Sequence, residues 1–275
     1  MLRYAYNTNG LQNHRLEHAV ELVADVGYDG LAITLDIHHL DPAAPFLAKR
    51  AFVLRQRMDA LGLGCVIETG ARYLLDPRAK HEPTLVSATA AERERRLDFL
   101  KQAVDVAHVL EAECVSCFAG VPHVLAPDAA RAALLEALER LNGYAAAKGV
   151  RVALEPEPGM AVADLDDALA VLPEEQWLAL DVGHCLVTGE REAADAVREF
   201  AHRAATITVE DMRRGEHVHL PFGEGDIDLP SVLAAITDVG FRGLVCVELS
   251  RESHRAHELV PASIAALRAA ERAPA

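Results

Sequence analysis

The sequence predicts a single (β/α)8 TIM barrel on three observations: apolar strand-like runs alternate with helical stretches about eight times, the 275-residue length is near that of one such barrel, and three carboxylates each close a short strand. The expected strands, in order, are Leu2 to Tyr6, Gly30 to Leu35, Cys65 to Glu68, Cys114 to Phe118, Val152 to Glu155, Leu178 to Asp181, Thr206 to Val209 and Leu244 to Glu248. Glycines at 27, 30, 62, 64, 149, 240 and 243 fall just before strands, where helices end and the chain turns back. Asp128 to Lys148 is the clearest helix, with Leu134, Leu135, Leu138 and Leu141 at helical spacing, Pro127 as a start signal and Gly149 as a stop. Residues 1–275 read as one domain, with a frayed tail over 271–275.

The three strand-closing acids are Glu155 in Arg151-Val-Ala-Leu-Glu155, Asp181 in Trp177-Leu-Ala-Leu-Asp181 and Glu248 in Leu244-Val-Cys-Val-Glu248. Side chains alternate faces along a strand, so Val152 and Leu154, Leu178 and Leu180, and Val245 and Val247 point away from the acids. Bulky residues on one face pack on outer helices; small residues ending in an acid line the barrel interior and its C-terminal mouth. Three carboxylates at one mouth repel unless a cation holds them. The pattern therefore predicts a divalent-metal site.

Composition narrows the function. The net charge of −15 opposes a nucleic-acid partner, which needs surplus Lys and Arg to displace counterions. No apolar run reaches membrane-spanning length and the N-terminus lacks a signal-peptide layout, so a cytoplasmic protein with no membrane partner is expected. Five cysteines in apolar segments read as reduced and buried, the Cys114-x-x-Cys117 pair included.

Histidines surround the acids. Asp181-Val-Gly-His184 alone reads as a helix cap plus an imidazole; beside two more strand-end acids it reads as part of a site. His217-Val-His219 precedes Leu-Pro-Phe-Gly223-Glu-Gly225-Asp-Ile-Asp228 in a long loop expected over Glu210 to Leu229, and two histidines one residue apart reach the same side of an extended segment. Another long loop, Thr69 to Thr89, follows Glu68 and brings Arg72, Arg78 and His81, which suit an anionic group. Arg213, Arg214 and Arg251 offer the same chemistry, and Glu157, two residues beyond Glu155, offers a substrate contact or substitute base held between Pro156 and Pro158. His14, His18, His108, His202 and His257 are expected in helices, while His38, His39 and His123 follow strands.

Taken together, Leu154-Glu155-Pro, Leu180-Asp181-Val-Gly-His184, Val209-Glu-Asp211, His219-Leu-Pro-Phe-Gly223-Glu-Gly225-Asp-Ile-Asp228 and Val247-Glu248-Leu resemble the xylose isomerase-like TIM-barrel superfamily over nearly the whole chain. In its sugar epimerase branch a Glu, an Asp, a His or Gln and a Glu on strands five to eight hold one metal. The resemblance implies Glu155, Asp181 and Glu248 as ligands, His184 as a substrate contact, and one divalent ion, manganese first, with magnesium, cobalt or zinc as alternatives. The seventh-strand position is Thr208, a poor ligand, so His217 or His219 fills the vacancy, or the ion is held differently or weakly. The endonuclease branch has an Asp-x-His before its Gly-x-Gly, where this chain has His217-x-His219, and holds a zinc cluster with further histidines after early strands, a role open to His38, His39 or His81.

The expected activity is isomerisation or epimerisation of a sugar, sugar phosphate or cyclitol through a metal-stabilised enediolate, with Glu155 and Glu248 exchanging the proton. Glu68, Glu157, His184, Arg72, His81 and Arg251 are the expected substrate contacts. A keto-cyclitol dehydratase shares the same first step. A barrel that only binds is the reading Thr208 favours, an endonuclease-like phosphodiesterase is opposed by the acidic surface, and a homo-oligomer is compatible with the fold.

Overall fold

The computed structural model describes residues 1–272, so the terminal residues of the expected tail, 273–275, lie outside the described residues. Eight parallel strands close the barrel: β1 (Arg3–Asn7), β2 (Gly30–Thr34), β3 (Gly64–Glu68), β4 (Val115–Phe118), β5 (Val152–Glu155), β6 (Trp177–Asp181), β7 (Ala204–Val209) and, after a hairpin of β8 (Asp211–Arg213) and β9 (Glu216–Leu220), β10 (Leu244–Val247). The closed order is β1-β10-β7-β6-β5-β4-β3-β2. The helices between them are α1 (Leu16–Asp25), α2 (Leu47–Leu61), α3 (Ala90–Leu110), α4 (Pro127–Ala146), α5 (Leu165–Val171), α6 (Val182–Thr188), α7 (Ala193–Phe200), α8 (Leu229–Asp238) and α9 (Ala256–Ala270). Among the described residues, no helix is long and apolar enough to cross a membrane.

The two faces of each strand divide as alternation requires. Ala5, Ala32, Val66, Cys114, Ala153, Ala179, Ala205, Leu244 and Cys246 form a separate inner cluster, whereas Val152, Leu154, Leu178, Leu180, Val245 and Val247 join the larger core beneath the helices. Cys114 belongs to the inner cluster and Cys117 to the outer core, so their spacing serves packing. Each fully buried aliphatic side chain of the outer layer contributes about 1.5–3 kcal/mol of transfer free energy.

Helix boundaries follow their local chemistry. Thr89 closes a capping box with Glu92 at the start of α3, which fixes the preceding loop at residues 69–89. Pro127 is the first residue of α4, where its missing N–H costs nothing. The expected loop after β7 is instead a hairpin, because Asp211 pairs with Leu220 and Arg213 with Glu216. His14 and His202 sit in turns beside helices, contrary to expectation.

Candidate metal centre and substrate cavity

Four neighbouring strands of the closed order, β5, β6, β7 and β10, bring acids to the C-terminal mouth. Asp181 ends β6 and also caps α6: its Oδ1 accepts from the backbone N–H groups of Gly183 (2.8 Å) and His184 (3.2 Å). That cap fixes the carboxylate and leaves Oδ2 buried without a hydrogen-bond partner. On β7, Thr208 lies level with Asp181 in the register, and Glu210 stands two residues further along on the same face. Glu210 is fully buried and both its oxygens lack partners. One ligand atom each from Asp181, Glu210 and His219 lie within 4.8 Å of one another, as do one each from Glu155, Asp181 and His184.

Glu210 is the residue that sequence reasoning missed. The alternation that found Glu155, Asp181 and Glu248 also points to it, since Thr206, Thr208 and Glu210 share a face. Its seat depends on Gly183, where a Cβ atom would lie 2.3 Å from Glu210 Oε1 and 2.8 Å from Met212 Sδ.

The histidines complete the group. His184 Nδ1 lies 3.0 Å from the Pro156 carbonyl, which can only accept, so Nδ1 is the donor there, and Nε2 lies 3.5 Å from Asp181 Oδ2. His217 Nε2 is 3.1 Å from that same Nε2. Because His217 and His219 alternate with Val218 on β9, both rings reach the centre, His219 Nε2 lying 4.0 Å from Glu248 Oε1. The hairpin is fastened by Asp211, which accepts from the N–H groups of Gly223 (2.8 Å) and Ile227 (3.0 Å). A Cβ atom at Gly225 would lie 2.4 Å from Asp211 Oδ1, so the Gly-Glu-Gly segment is a structural clasp.

Electrostatics register the crowding. Burial raises Glu155 well above the ordinary carboxylate range, with Glu157 and Asp181 adding repulsion. Burial and Asp181 do the same to Glu210. Burial and Glu248 push Glu68 up to about 8, and burial lifts Glu157 to about 7 against the pull of His184. Burial also opposes ionisation of Asp181, but His184 and His219 outweigh it and hold this one carboxyl below its usual value. His217 is lowered to about 4 by burial and its two neighbouring histidines.

Orphaned oxygens on Asp181 and Glu210 and a partnerless buried His219 Nδ1, all in one carboxylate and imidazole set, fit a divalent cation. Within reach of that set are Glu155, Asp181, Glu210, His184 and His219, with His217 and Glu248 at its edge. His184, expected as a substrate contact, thus stands among the potential ligands. Thr208 is not required.

Next to the centre opens a cavity of about 610 Å³, lined by Glu68, Glu155, Glu157 and Glu248 among others. Amide donors from Asn9 (2.8 Å) and Asn7 (3.3 Å) hold Glu248 from the end of β1, a support that sequence reasoning also missed. Arg72 and Arg251 line the cavity as expected. His81 lines it too, yet burial and Lys80 lower it to about 4 and its Nδ1 faces the Gly70 carbonyl at 2.9 Å, so it is a neutral ring and not a cation for an anionic group. Arg213 and Arg214 turn to Glu216 and Glu192, and Arg78 is exposed. His39 is buried, with Nε2 2.9 Å from the His14 carbonyl, a packing role and not a cluster ligand.

A family model described as xylose isomerase-like TIM barrel matches residues 20–270. The chain belongs to that family. Solved structures agree on the fold: the IolI protein with a bound zinc atom superimposes with a TM-score of 0.78 at 18% identity, covering 98% of each chain. An L-ribulose 3-epimerase gives 0.74 at 21% identity over 99% of this chain and 96% of its own. The probable 3-DHS dehydratase AsbF of Bacillus anthracis gives 0.77 at 13% identity over 97% and 99%. A comparison with curated proteins finds no match.

Proposed function

We propose that this member of the xylose isomerase-like family is a divalent-metal-dependent isomerase or epimerase of a sugar, sugar phosphate or cyclitol, working by proton transfer beside a carbonyl. The observation that carries the reading is the convergence of strand-end carboxylates with orphaned oxygens on two or three imidazoles beside a cavity of substrate size. The sugar epimerases among its structural relatives support it.

Glu155, Asp181, Glu210 and His219, with His184 beside them, would hold the ion. When bound, such an ion supplies electrophilic assistance to a substrate carbonyl. The chain's own residues supply the rest. Asn7 and Asn9 donate to both oxygens of Glu248 and present that carboxylate as an acceptor for the proton removed from the adjacent carbon. Glu155, on another strand of the mouth, would be the partner that returns a proton. Glu157 and Glu68 line the same cavity and would contact the substrate.

The test is proton exchange. Manganese-loaded protein is incubated in deuterium oxide with a panel of ketoses and keto-cyclitols and followed by NMR. Deuterium enters beside the carbonyl of at least one substrate, and the exchange disappears on chelation and in Glu248→Gln. Loss of water in place of a formula-conserving product assigns the dehydratase reading. No exchange across the panel, by protein holding stoichiometric metal, defeats the proposal.

A further inference from the structure

Arg72, Lys80 and Arg251 face the same cavity from the loops that follow β3 and β10. The chain carries a net charge of −15, and arginines elsewhere readily find acids: Arg3, Arg55, Arg57, Arg140, Arg191 and Arg268 each contact a carboxylate. The cavity trio does not. Among the described residues, no carboxylate lies within ion-pairing distance of Arg72, Lys80 or Arg251; Arg72 donates only to Gln12 Oε1 and the Ser250 carbonyl, both at 3.0 Å, which fixes its guanidinium across three loops. Lys80 and Arg251 are exposed at the cavity rim, and Lys80 is lowered by partial burial and by Arg72, with Arg251 adding to the repulsion and Glu157 opposing it, so the three cations sense one another. Arg251 lines the same cavity as His217 and His219, so this rim and the candidate metal centre face one space.

Like charges gathered at one rim of a concave site, none of them in an ion pair, raise the concentration of a ligand of opposite sign at that rim. We propose that Arg72, Lys80 and Arg251 form an oxyanion subsite, and that the substrate carries a carboxylate or phosphate at the end remote from its reacting carbonyl. Which end reacts rests on the isomerase reading; the subsite itself does not. Guanidinium groups suit either anion through paired N–H donors, and the flexible Lys80 adds a point charge.

Matched ligand pairs test this by calorimetry on metal-loaded protein at low salt: D-gluconate against D-sorbitol for a carboxylate, and D-fructose 6-phosphate against D-fructose for a phosphate. One anionic member binds at least tenfold more tightly than its neutral twin, the preference weakens with added sodium chloride, and it is abolished in Lys80→Met/Arg251→Met. The pair that discriminates identifies the anion. Equal binding within both pairs, no binding by either anion, or a preference that survives the double substitution overturns the subsite. A preference shown by protein that exchanges no deuterium keeps the subsite and defeats the isomerase reading, so the two failures are distinguishable.

Discussion

Glu210→Gln separates a metal ligand from a buried structural acid. At an effective dielectric of about 20, two unit charges at the 4.8 Å upper bound separating the Asp181 and Glu210 ligand atoms repel by about 3.5 kcal/mol, which adds to burial in favouring the protonated form of Glu210 when no cation is present. Glutamine imitates that protonated state, so the metal-free variant should unfold within about 1 kcal/mol of the parent. Metal binding should behave differently. A divalent ion lying closer to Glu210 than Asp181 does gains more than about 7 kcal/mol from that carboxylate on the same scale, against about 3.5 kcal/mol of repulsion, leaving a net of at least about 3.5 kcal/mol. Affinity for manganese should therefore fall by at least about 300-fold. Competition with a fluorescent chelator measures the affinity, and thermal unfolding of the metal-free forms checks the fold. Unchanged manganese affinity in a folded Glu210→Gln protein refutes the assignment.

Gly183→Ala should force Glu210 and Met212 aside, costing about 1–3 kcal/mol of stability and weakening metal binding; an unfolding curve and metal titration identical to the parent's contradict the packing described. Asn9→Ala removes the 2.8 Å support of Glu248 and should lower metal affinity or activity by about 10- to 100-fold with little change in Tm, so parental kinetics and metal binding would remove Asn9 from the site. Carboxyls raised on folding stabilise the fold while protonated and lose that contribution as pH rises; with unfolded values near about 4.3 and folded values of about 7 for Glu157 and about 8 for Glu68, the metal-free Tm should fall between about pH 5 and pH 8. Saturating manganese should offset the fall, and a metal-free Tm that rises across this range contradicts the assignment.

Alternation made the barrel legible from residues alone, because an interior of alanines and cysteines against an exterior of leucines and valines leaves each strand only one way to face. The acids at strand ends followed from that same rule. What escaped was information carried by the third dimension. Glu210 lies one residue beyond its strand, and its two orphaned oxygens appear only in the folded chain; Lys80 shares the cavity with Arg251 from a different loop; Asn9 acts on a residue 239 positions away. Burial, which sequence spacing does not report, pushes the His81 ring down to about 4.

The five buried thiols, three of them in barrel strands, give this protein an internal clock. All are buried; Cys65 and Cys117 are pushed up to about 12 by burial, and Cys114, Cys185 and Cys246 are raised by the same cause. A closed molecule thus presents almost no thiolate to an alkylating reagent at neutral pH. Modification must wait until the wall parts, so its rate counts openings, and a tightly held ion or ligand would slow the count without any change in the reagent.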